Sequence, residues 1–219
     1  MPTAIVTPYA SCTVGSWSDC TSTIVRFTGG IRPAIVMVAL FTLMLGLAYP
    51  LAITGIAQGV FPAQANGSLI RNADGTVVGS ALIGQPFAGA VYLHPRPSAA
   101  GDGYDGSASS GSNYGPLNED LKTRVAEGAM AIRAQNGVGA IPADAVTASA
   151  SGLDPDISPE YARLQARRIA TARGASVQEV QAVIDQQAEG ALLGFIGQPH
   201  VNVLVTNRAL DARFPIPAP

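Results

Sequence analysis

Residues 33–59 read PAIVMVALFTLMLGLAYPLAITGIAQG, within a run of 38 residues, 33–70, that contains no charged residue and no histidine. A helix of this length rises about 40 Å, more than the ~30 Å hydrocarbon core of a bilayer requires. It also satisfies its own backbone polar groups, as lipid demands. The stretch therefore predicts one transmembrane helix, assigned to residues 32–60. A buried core helix and a signal peptide, whose apolar region is shorter and begins near the terminus, are the weaker alternatives.

Basic residues near this span predict its orientation. Arg26 and Arg32 precede it, whereas the 15 residues after Gly59 contain only Arg71, which is offset by Asp74. Since Lys and Arg concentrate in cytoplasmic flanks, we expect the N-terminus to lie in the cytoplasm. The rest of the chain, residues 61–219, is then an extracytoplasmic domain.

Small residues form a stripe on the predicted span, at spacings of i, i+4, i+7 and i+11. Such residues let the backbones of membrane helices approach closely, so the stripe is a candidate for packing against partner helices. Its members are Ala48, Ala52, Gly55 and Gly59. In addition, Pro50 removes one backbone donor and predicts a distortion of the helix near Gly46.

The N-terminal tail, residues 1–31, is rich in Ser and Thr and lacks periodicity, which predicts disorder. It carries both cysteines, Cys12 and Cys20, whose spacing matches no zinc pattern and indicates ordinary thiols. From Arg71 onward the chain holds eleven basic and fourteen acidic residues. That balance gives no indication of nucleic-acid binding.

The pattern after the span predicts a mixed α/β domain. Short apolar runs at residues 69–70, 76–78 and 90–93 predict strands, and Asp74-Gly75 predicts a tight hairpin. Residues 98–115 are rich in Gly and Ser, typical either of a flexible loop or of a surface that closes on a partner. A compact strand is predicted at residues 201–205.

Three helices are predicted between these strands, each with a capping signal. The first spans about residues 118–135, the second begins at the Ser158 cap and ends at Gly174, and the third opens with a capping box from Ser176 to Glu179. Their predicted apolar faces are, in order, Leu121, Val125, Ala129 and Ile132; Tyr161, Leu164, Ile169 and Ala172; and Val177, Val180, Val183 and Ile184.

No catalytic or metal-binding constellation is predicted. Residues 101–106 match GxGxxG by letter, but no helix pattern follows them, as a dinucleotide site requires. His94 and His200 lie far apart in sequence, without Cys or carboxylate at ligand spacing. A membrane-anchored domain of this kind is predicted to be a partner subunit rather than an enzyme. The alternative is a membrane-anchored extracytoplasmic hydrolase.

Ordered motifs from Arg32 to about Asp211 resemble the C subunit of the bacterial Kdp potassium-transporting ATPase, the KdpC family. The motifs are RP at 32–33, GLAYP at 46–50, TG at 54–55, QANGSL at 64–69, GS at 79–80, IGQ at 83–85, RPS at 96–98, SGSN at 110–113, GP at 115–116, VTAS at 146–149, SGLDP at 151–155, IS at 157–158, Gln165, GFIG at 194–197, VNVL at 201–204 and Asn207.

The resemblance implies a non-catalytic, single-span subunit of the bacterial inner membrane. Its implied partners are a potassium-channel-like A subunit, a P-type ATPase B subunit and a small F subunit. Family members are described as catalytic chaperones that raise the ATP affinity of the ATPase subunit, with the glutamine matching Gln165 proposed to contact nucleotide. No cofactor is expected on this chain directly, and ATP enters through the ATPase subunit.

Two expectations conflict at Gln165. An extracytoplasmic domain cannot meet cytoplasmic ATP, so Gln165, beside Leu164 on the second helix, is equally consistent with packing or hydrogen bonding inside the domain. An ATP-sensing subunit with its domain in the cytoplasm is the alternative. For the assembly role, the Gly/Ser-rich region is expected to face the potassium subunit, and the candidate residues are Ser110, Gly111, Ser112 and Asn113.

Overall fold

The computed structural model describes residues 31–216 and divides the chain into two compact units, one ending at Pro62 and one beginning at Ala63. The interpretations of residues 1–30, including Cys12 and Cys20, lie outside the described residues. Ile31, which was assigned to the tail, already belongs to the first helix.

The first unit is helix α1, Ile31–Val60, whose 30 residues rise about 45 Å. Its large apolar side chains are exposed, and among the described residues it is the one helix long and apolar enough to cross a membrane. The distortion predicted from Pro50 occurs as a π-helical stretch, Thr42–Ala48, which includes Gly46. There the Tyr49 N–H donates to the carbonyl of Met44, five residues back.

After α1 the chain forms the short helix α2, Pro62–Ala65, and then, in the second unit, an antiparallel hairpin of β1, Leu69–Arg71, and β2, Val77–Ser80. The hairpin turn is the predicted one. Gly75 has a φ of 83°, and the Asp74 carboxylate accepts a 2.9 Å hydrogen bond from the Thr76 N–H.

Helix α3, Glu119–Asn136, follows the Gly/Ser-rich segment. The Asn118 side chain caps it by accepting from the N–H groups of Asp120 and Leu121. Its predicted apolar face is confirmed, with Ile132 buried and the other three members half-buried.

Helices α4, Pro159–Arg173, and α5, Val177–Gln187, form the centre of the core. Both predicted caps are present: Ser158 accepts from the Tyr161 N–H at 3.1 Å, and Ser176 and Glu179 form the reciprocal capping box. The prediction that Ala172 is buried was wrong, because the last turn of α4 borders a surface cavity. The buried alanines of α4 are Ala162, Ala166 and Ala170.

A three-stranded antiparallel sheet packs on these helices in the order β3-β5-β4. The strands are β3, Asp156–Ile157; β4, Ala188–Glu189; and β5, His200–Asn202. The last predicted strand was wrong beyond residue 202, where helix α6, Val203–Arg213, begins. Asn202 ends the strand because its side-chain oxygen caps α6, accepting from the Val205 N–H at 3.1 Å.

The strand predicted at residues 90–93 was also wrong, since those residues form turns and irregular chain. Leu93 is nevertheless fully buried and belongs to the same core as Ile169, Ile184, Val201 and Leu210. An irregular segment therefore enters the interior of the domain at Leu93, and its backbone polar groups there need partners.

Candidate functional site

Residues 89–94, called here the clamped segment, are held by side chains from α4 and α6. Each of its six main-chain carbonyls accepts a hydrogen bond from one of these side chains. Arg168 donates to Gly89, Ala90 and Tyr92 at 3.2, 2.8 and 3.0 Å, Arg173 to Val91 at 2.7 Å, Asn207 to Leu93 at 3.0 Å and Gln165 to His94 at 3.0 Å. This side-chain pairing replaces the neighbouring strand that the sequence led us to expect.

Gln165 is fully buried in α4, and both ends of its amide are engaged. Its Oε1 accepts from the His94 N–H at 2.8 Å while its Nε2 donates to the His94 carbonyl. A third bond comes from Arg168, whose Nη2 donates to the same Oε1 at 2.7 Å. A nucleotide could reach this amide only after these bonds had opened.

Asn207 makes the equivalent pair of bonds from α6. Its Oδ1 accepts from the Leu93 N–H at 2.7 Å, its Nδ2 donates to the Leu93 carbonyl, and its side chain is buried. Two adjacent residues are thus held by two amides on different helices. Since buried backbone groups without partners are costly, both amides stabilise the irregular path of the clamped segment.

Arg168 connects the clamped segment to α3. Besides its three carbonyl bonds it donates from Nε to Oδ1 of Asn136, at the end of α3, at 3.1 Å. Burial lowers the pKa of its guanidinium, although the group stays charged at any physiological pH.

Arg173 ties the last turn of α4 to the end of α6. Its fully buried guanidinium donates to the Phe214 carbonyl at 2.9 Å, pairs with Asp211 at 2.7 Å and lies over the Tyr92 ring, 5.5 Å from its centroid. A planar fork with several donors is the group that can make these contacts together.

His94 adds an imidazole at the edge of the clamped segment, where its Nε2 lies 2.8 Å from the Gly89 carbonyl. Burial lowers the pKa of His94, and the nearby Arg168 charge adds to that effect. The neutral ring with Nε2 protonated, which can donate to Gly89, is therefore favoured.

The Gly/Ser-rich segment, residues 98–115, packs along the chain's own residues 147–154. The Ser110 N–H donates to the Ser151 carbonyl at 3.0 Å, and the Ser98 hydroxyl donates to the Gly152 carbonyl at 2.6 Å. Just before its start, Arg96 pairs with Asp154 at 2.7 Å. Of the two interpretations of this segment, a free flexible loop is not what the structure has.

The four candidate partner-facing residues lie together at the end of that segment. Ser110 and Asn113 are exposed, Gly111 and Ser112 are half-buried, and the Ser112 hydroxyl accepts from Arg124 at 3.3 Å. A Cβ on Gly111 would lie 2.8 Å from the Ala150 carbonyl, so glycine permits this close approach. Their role towards a partner stays a prediction.

The small-residue stripe lies on α1. Ala52, Gly55 and Gly59 belong to its final α-helical part, Tyr49–Val60, which Ala48 directly precedes, so the four keep the expected spacing. Among the described residues, a methyl group added at Gly55 or Gly59 would meet no atom within 4 Å beyond the adjoining helix backbone. Packing against a partner helix stays a prediction as well.

A polar cavity of about 480 Å³ is bordered by Arg96, Asp144, Asp154, Asp156 and His200. Asp144 is occupied by the N–H and hydroxyl of Ser158, at 2.7 and 3.0 Å, and Asp154 by Arg96. Burial raises the pKa of Asp156, an effect that His200 and Asn202 oppose. Within residues 31–216, no group of three or more His, Cys, Asp or Glu side chains is arranged to hold a metal ion.

Sequence reasoning selected Gln165 through the resemblance but assigned no role to the other side chains that hold the clamped segment, Arg168, Arg173 and Asn207. Apart from the bond of Arg168 to Gln165 on the same helix, their bonds reach main-chain and side-chain atoms between 32 and 114 residues away. No local pattern encodes such distant pairings. The sequence features that could have indicated these roles were the arginines on the last two turns of α4 and an asparagine within the apolar pattern of α6.

Comparison with protein families matches residues 31–212 to the model described as "KdpC: K+-transporting ATPase, c chain". The match covers all but the two ends of the chain, and it includes α1 and the residues of the clamped segment.

Individual relatives agree. The chain is 68% identical over 185 residues to the potassium-transporting ATPase KdpC subunit of Caulobacter sp. (strain K31), covering 84% of this chain and 94% of that one. It is 63% identical over 191 residues to the subunit of Beijerinckia indica, covering 86% and 96%. It is 53% identical over 184 residues to the subunit of Mycobacterium bovis, covering 83% of this chain and 97% of that one.

Proposed function

The chain belongs to the KdpC family of potassium-transporting ATPase subunits, and we propose that it holds its transport complex together from the extracytoplasmic side. Membership makes it a subunit of a potassium uptake complex, and with one candidate membrane helix it is a membrane-associated protein. Its proposed partners are the A, B and F subunits. The hydrolase alternative is not favoured by this membership.

The observation that carries the assembly role is how the domain uses its polar side chains. Gln165, Asn207, Arg168 and Arg173 all bond to the chain's own backbone. Side chains that hold the clamped segment against the core at Leu93 are unavailable for chemistry on a substrate. Their arrangement supports a rigid body that presents surfaces to other proteins.

The proposed topology places the N-terminus in the cytoplasm and the domain outside. What supports it is the excess of arginine before the span, together with a helix of sufficient length. The same topology separates Gln165 from cytoplasmic ATP.

We also propose that the subunit raises the ATP affinity of the ATPase subunit, as the resemblance implies, by acting through the assembled complex. Buried bonds of Gln165 to His94 and Arg168 support an indirect route over direct nucleotide contact. In this proposal α1 packs through Ala48, Ala52, Gly55 and Gly59, and residues 110–113 face the potassium subunit.

Co-purification from mild detergent tests the assembly role. The complex is expressed with an affinity tag on another subunit, with and without this chain. We expect the chain to be retained, and we expect potassium-stimulated ATPase activity to fall and the KM for ATP to rise when it is omitted. Recovery of the chain alone, with a complex that is intact and fully active without it, would refute the proposal.

A further inference from the structure

One surface turn of the domain, residues 190–197 and called here the apolar turn, exposes four large apolar side chains. The exposed fractions are 66% for Leu192, 76% for Leu193, 76% for Phe195 and 48% for Ile196. Apolar residues scattered singly on a surface need no explanation, whereas a contiguous group of this kind marks an interaction site.

The apolar turn is rigidly mounted. It connects β4 to β5, which pair through Glu189 and His200, and Val201 of β5 is fully buried in the core. Within the turn, Leu192 and Ile196 exchange backbone hydrogen bonds at 2.8 and 2.9 Å. A partner would therefore meet a preformed surface, which reduces the entropy lost on binding.

Leu193 adopts a left-handed backbone conformation, with a φ of 56°. This conformation is unfavourable for a residue that carries a Cβ. Here it directs an aliphatic side chain into solvent, where the domain itself gains nothing from it. We expect a residue to keep such an unfavourable backbone conformation, without packing inside its own chain, where its side chain packs against a bound partner.

The charges around the apolar turn indicate what that partner is. From residue 186 to residue 199 the one charged side chain is Glu189, and the stretch contains no Lys, Arg, Trp or Tyr. Segments that enter lipid interfaces combine apolar residues with basic side chains and with Trp or Tyr. This turn lacks both, and Glu189, Asp156 and the acidic excess of the domain would be repelled by anionic lipid.

We propose that the apolar turn inserts Leu193 and Phe195 into an apolar pocket, rimmed by basic residues, on another protein subunit of the transport complex. Large anchors seated in a desolvated pocket are typical of an interface hot spot, and basic residues at the rim would complement Glu189 and Asp156. This inference rests on the proposed assembly role and adds the surface that performs it.

Site-specific photo-cross-linking in the complete complex tests the inference. p-Benzoylphenylalanine replaces Phe195 in one preparation and Val138, which is fully exposed on a different segment, in the control. After illumination in native membranes, we expect an adduct with another subunit at Phe195, at least about ten times more abundant than at Val138. An adduct with lipid or with a second copy of this chain, or no adduct, would overturn the inference.

Substitution supplies an independent measurement. Leu193→Ser and Phe195→Ser should each reduce retention of the chain on the tagged complex by about tenfold or more, while Val138→Ser leaves retention unchanged. Because all three side chains are exposed, the midpoint temperature of thermal unfolding should be the same in the variants as in the wild type. If the wild-type chain is not retained, the proposed function fails too; if it is retained and both variants match it, the inference alone fails.

Discussion

Gln165 and His94 exchange two hydrogen bonds: the His94 N–H donates to Oε1 of Gln165 at 2.8 Å, and Nε2 of Gln165 donates to the His94 carbonyl at 3.0 Å. The glutamine thus pairs with a main chain as a neighbouring strand would. Asn207 does the same for Leu93. The residue that the resemblance associates with nucleotide is therefore part of what positions an irregular segment in the core.

Gln165→Met should destabilise the domain strongly. It keeps the volume of the side chain but leaves the N–H and carbonyl of half-buried His94 without these partners, at a cost of about 3 kcal/mol. The midpoint temperature of thermal unfolding of the detergent-purified chain should fall by about 10 °C. Gln178→Met, at an exposed glutamine of α5, is the control and should shift stability by less than about 0.5 kcal/mol. If Gln165→Met leaves the stability of the chain unchanged but raises the KM for ATP of the complete complex, direct nucleotide contact would be supported instead.

Arg173→Lys should be far from conservative. Lysine keeps the charge but cannot reach the Val91 and Phe214 carbonyls and Asp211 at once, so we expect a loss of about 2 kcal/mol. Arg167→Lys, on the exposed side of the same helix, should have little effect. Chemical denaturation of both variants measures the difference in their free energies of unfolding. Equal values would contradict a stabilising role for the Arg173 bonds between α4 and α6.

Gly152→Ala should release the Gly/Ser-rich segment. Gly152 has a φ of 68°, and a Cβ there would lie 2.6 Å from the Ser110 carbonyl and 2.7 Å from the Ala100 nitrogen. We expect a cost of about 2–3 kcal/mol and faster limited proteolysis within residues 98–115. Gly106→Ala, in open space in the same segment, should be neutral or slightly stabilising. Equal proteolysis of the two variants would contradict the observed packing.

His94 should make stability depend on pH. Burial lowers its pKa in the folded chain, so the unfolded chain binds more protons between the two pKa values. The stability contributed by His94 is fully present above the unfolded pKa of about 6.5 and is lost as the pH falls through the folded pKa. His94→Gln keeps the main-chain bonds and removes the titration.

The free energy of unfolding of the wild type, relative to His94→Gln, should therefore fall between about pH 8 and about pH 5. Denaturant titrations at both pH values measure it. A difference between wild type and variant that does not change with pH would contradict the burial of the ring.

Local signals in the sequence predicted the local structure well. An uncharged apolar run is sufficient for α1, and the side-chain caps at Ser158 and Ser176 place the starts of α4 and α5 because capping is a contact between near neighbours. The same reasoning placed the Asp74-Gly75 turn.

Predictions failed where distant groups decide the conformation. Residues 90–93 have the composition of a strand, yet their partners are side chains of α4 and α6 rather than a neighbouring strand. At residue 203 the prediction followed the β-branched run and continued the strand. The structure instead follows the Asn202 cap and the helical spacing of Val203, Asn207 and Leu210. The resemblance identified Gln165, but its bonds to His94 required the structure.

Labelling of one introduced cysteine tests the central claim, that the folded domain works outside the cell membrane. Ser107→Cys, at an exposed position of the Gly/Ser-rich segment, is combined with Cys12→Ser and Cys20→Ser so that it is the one thiol in the chain. With a maleimide that cannot cross the inner membrane, we expect labelling in intact cells equal to that in permeabilised cells. Labelling that appears only after the inner membrane is permeabilised would place the domain in the cytoplasm and contradict the account.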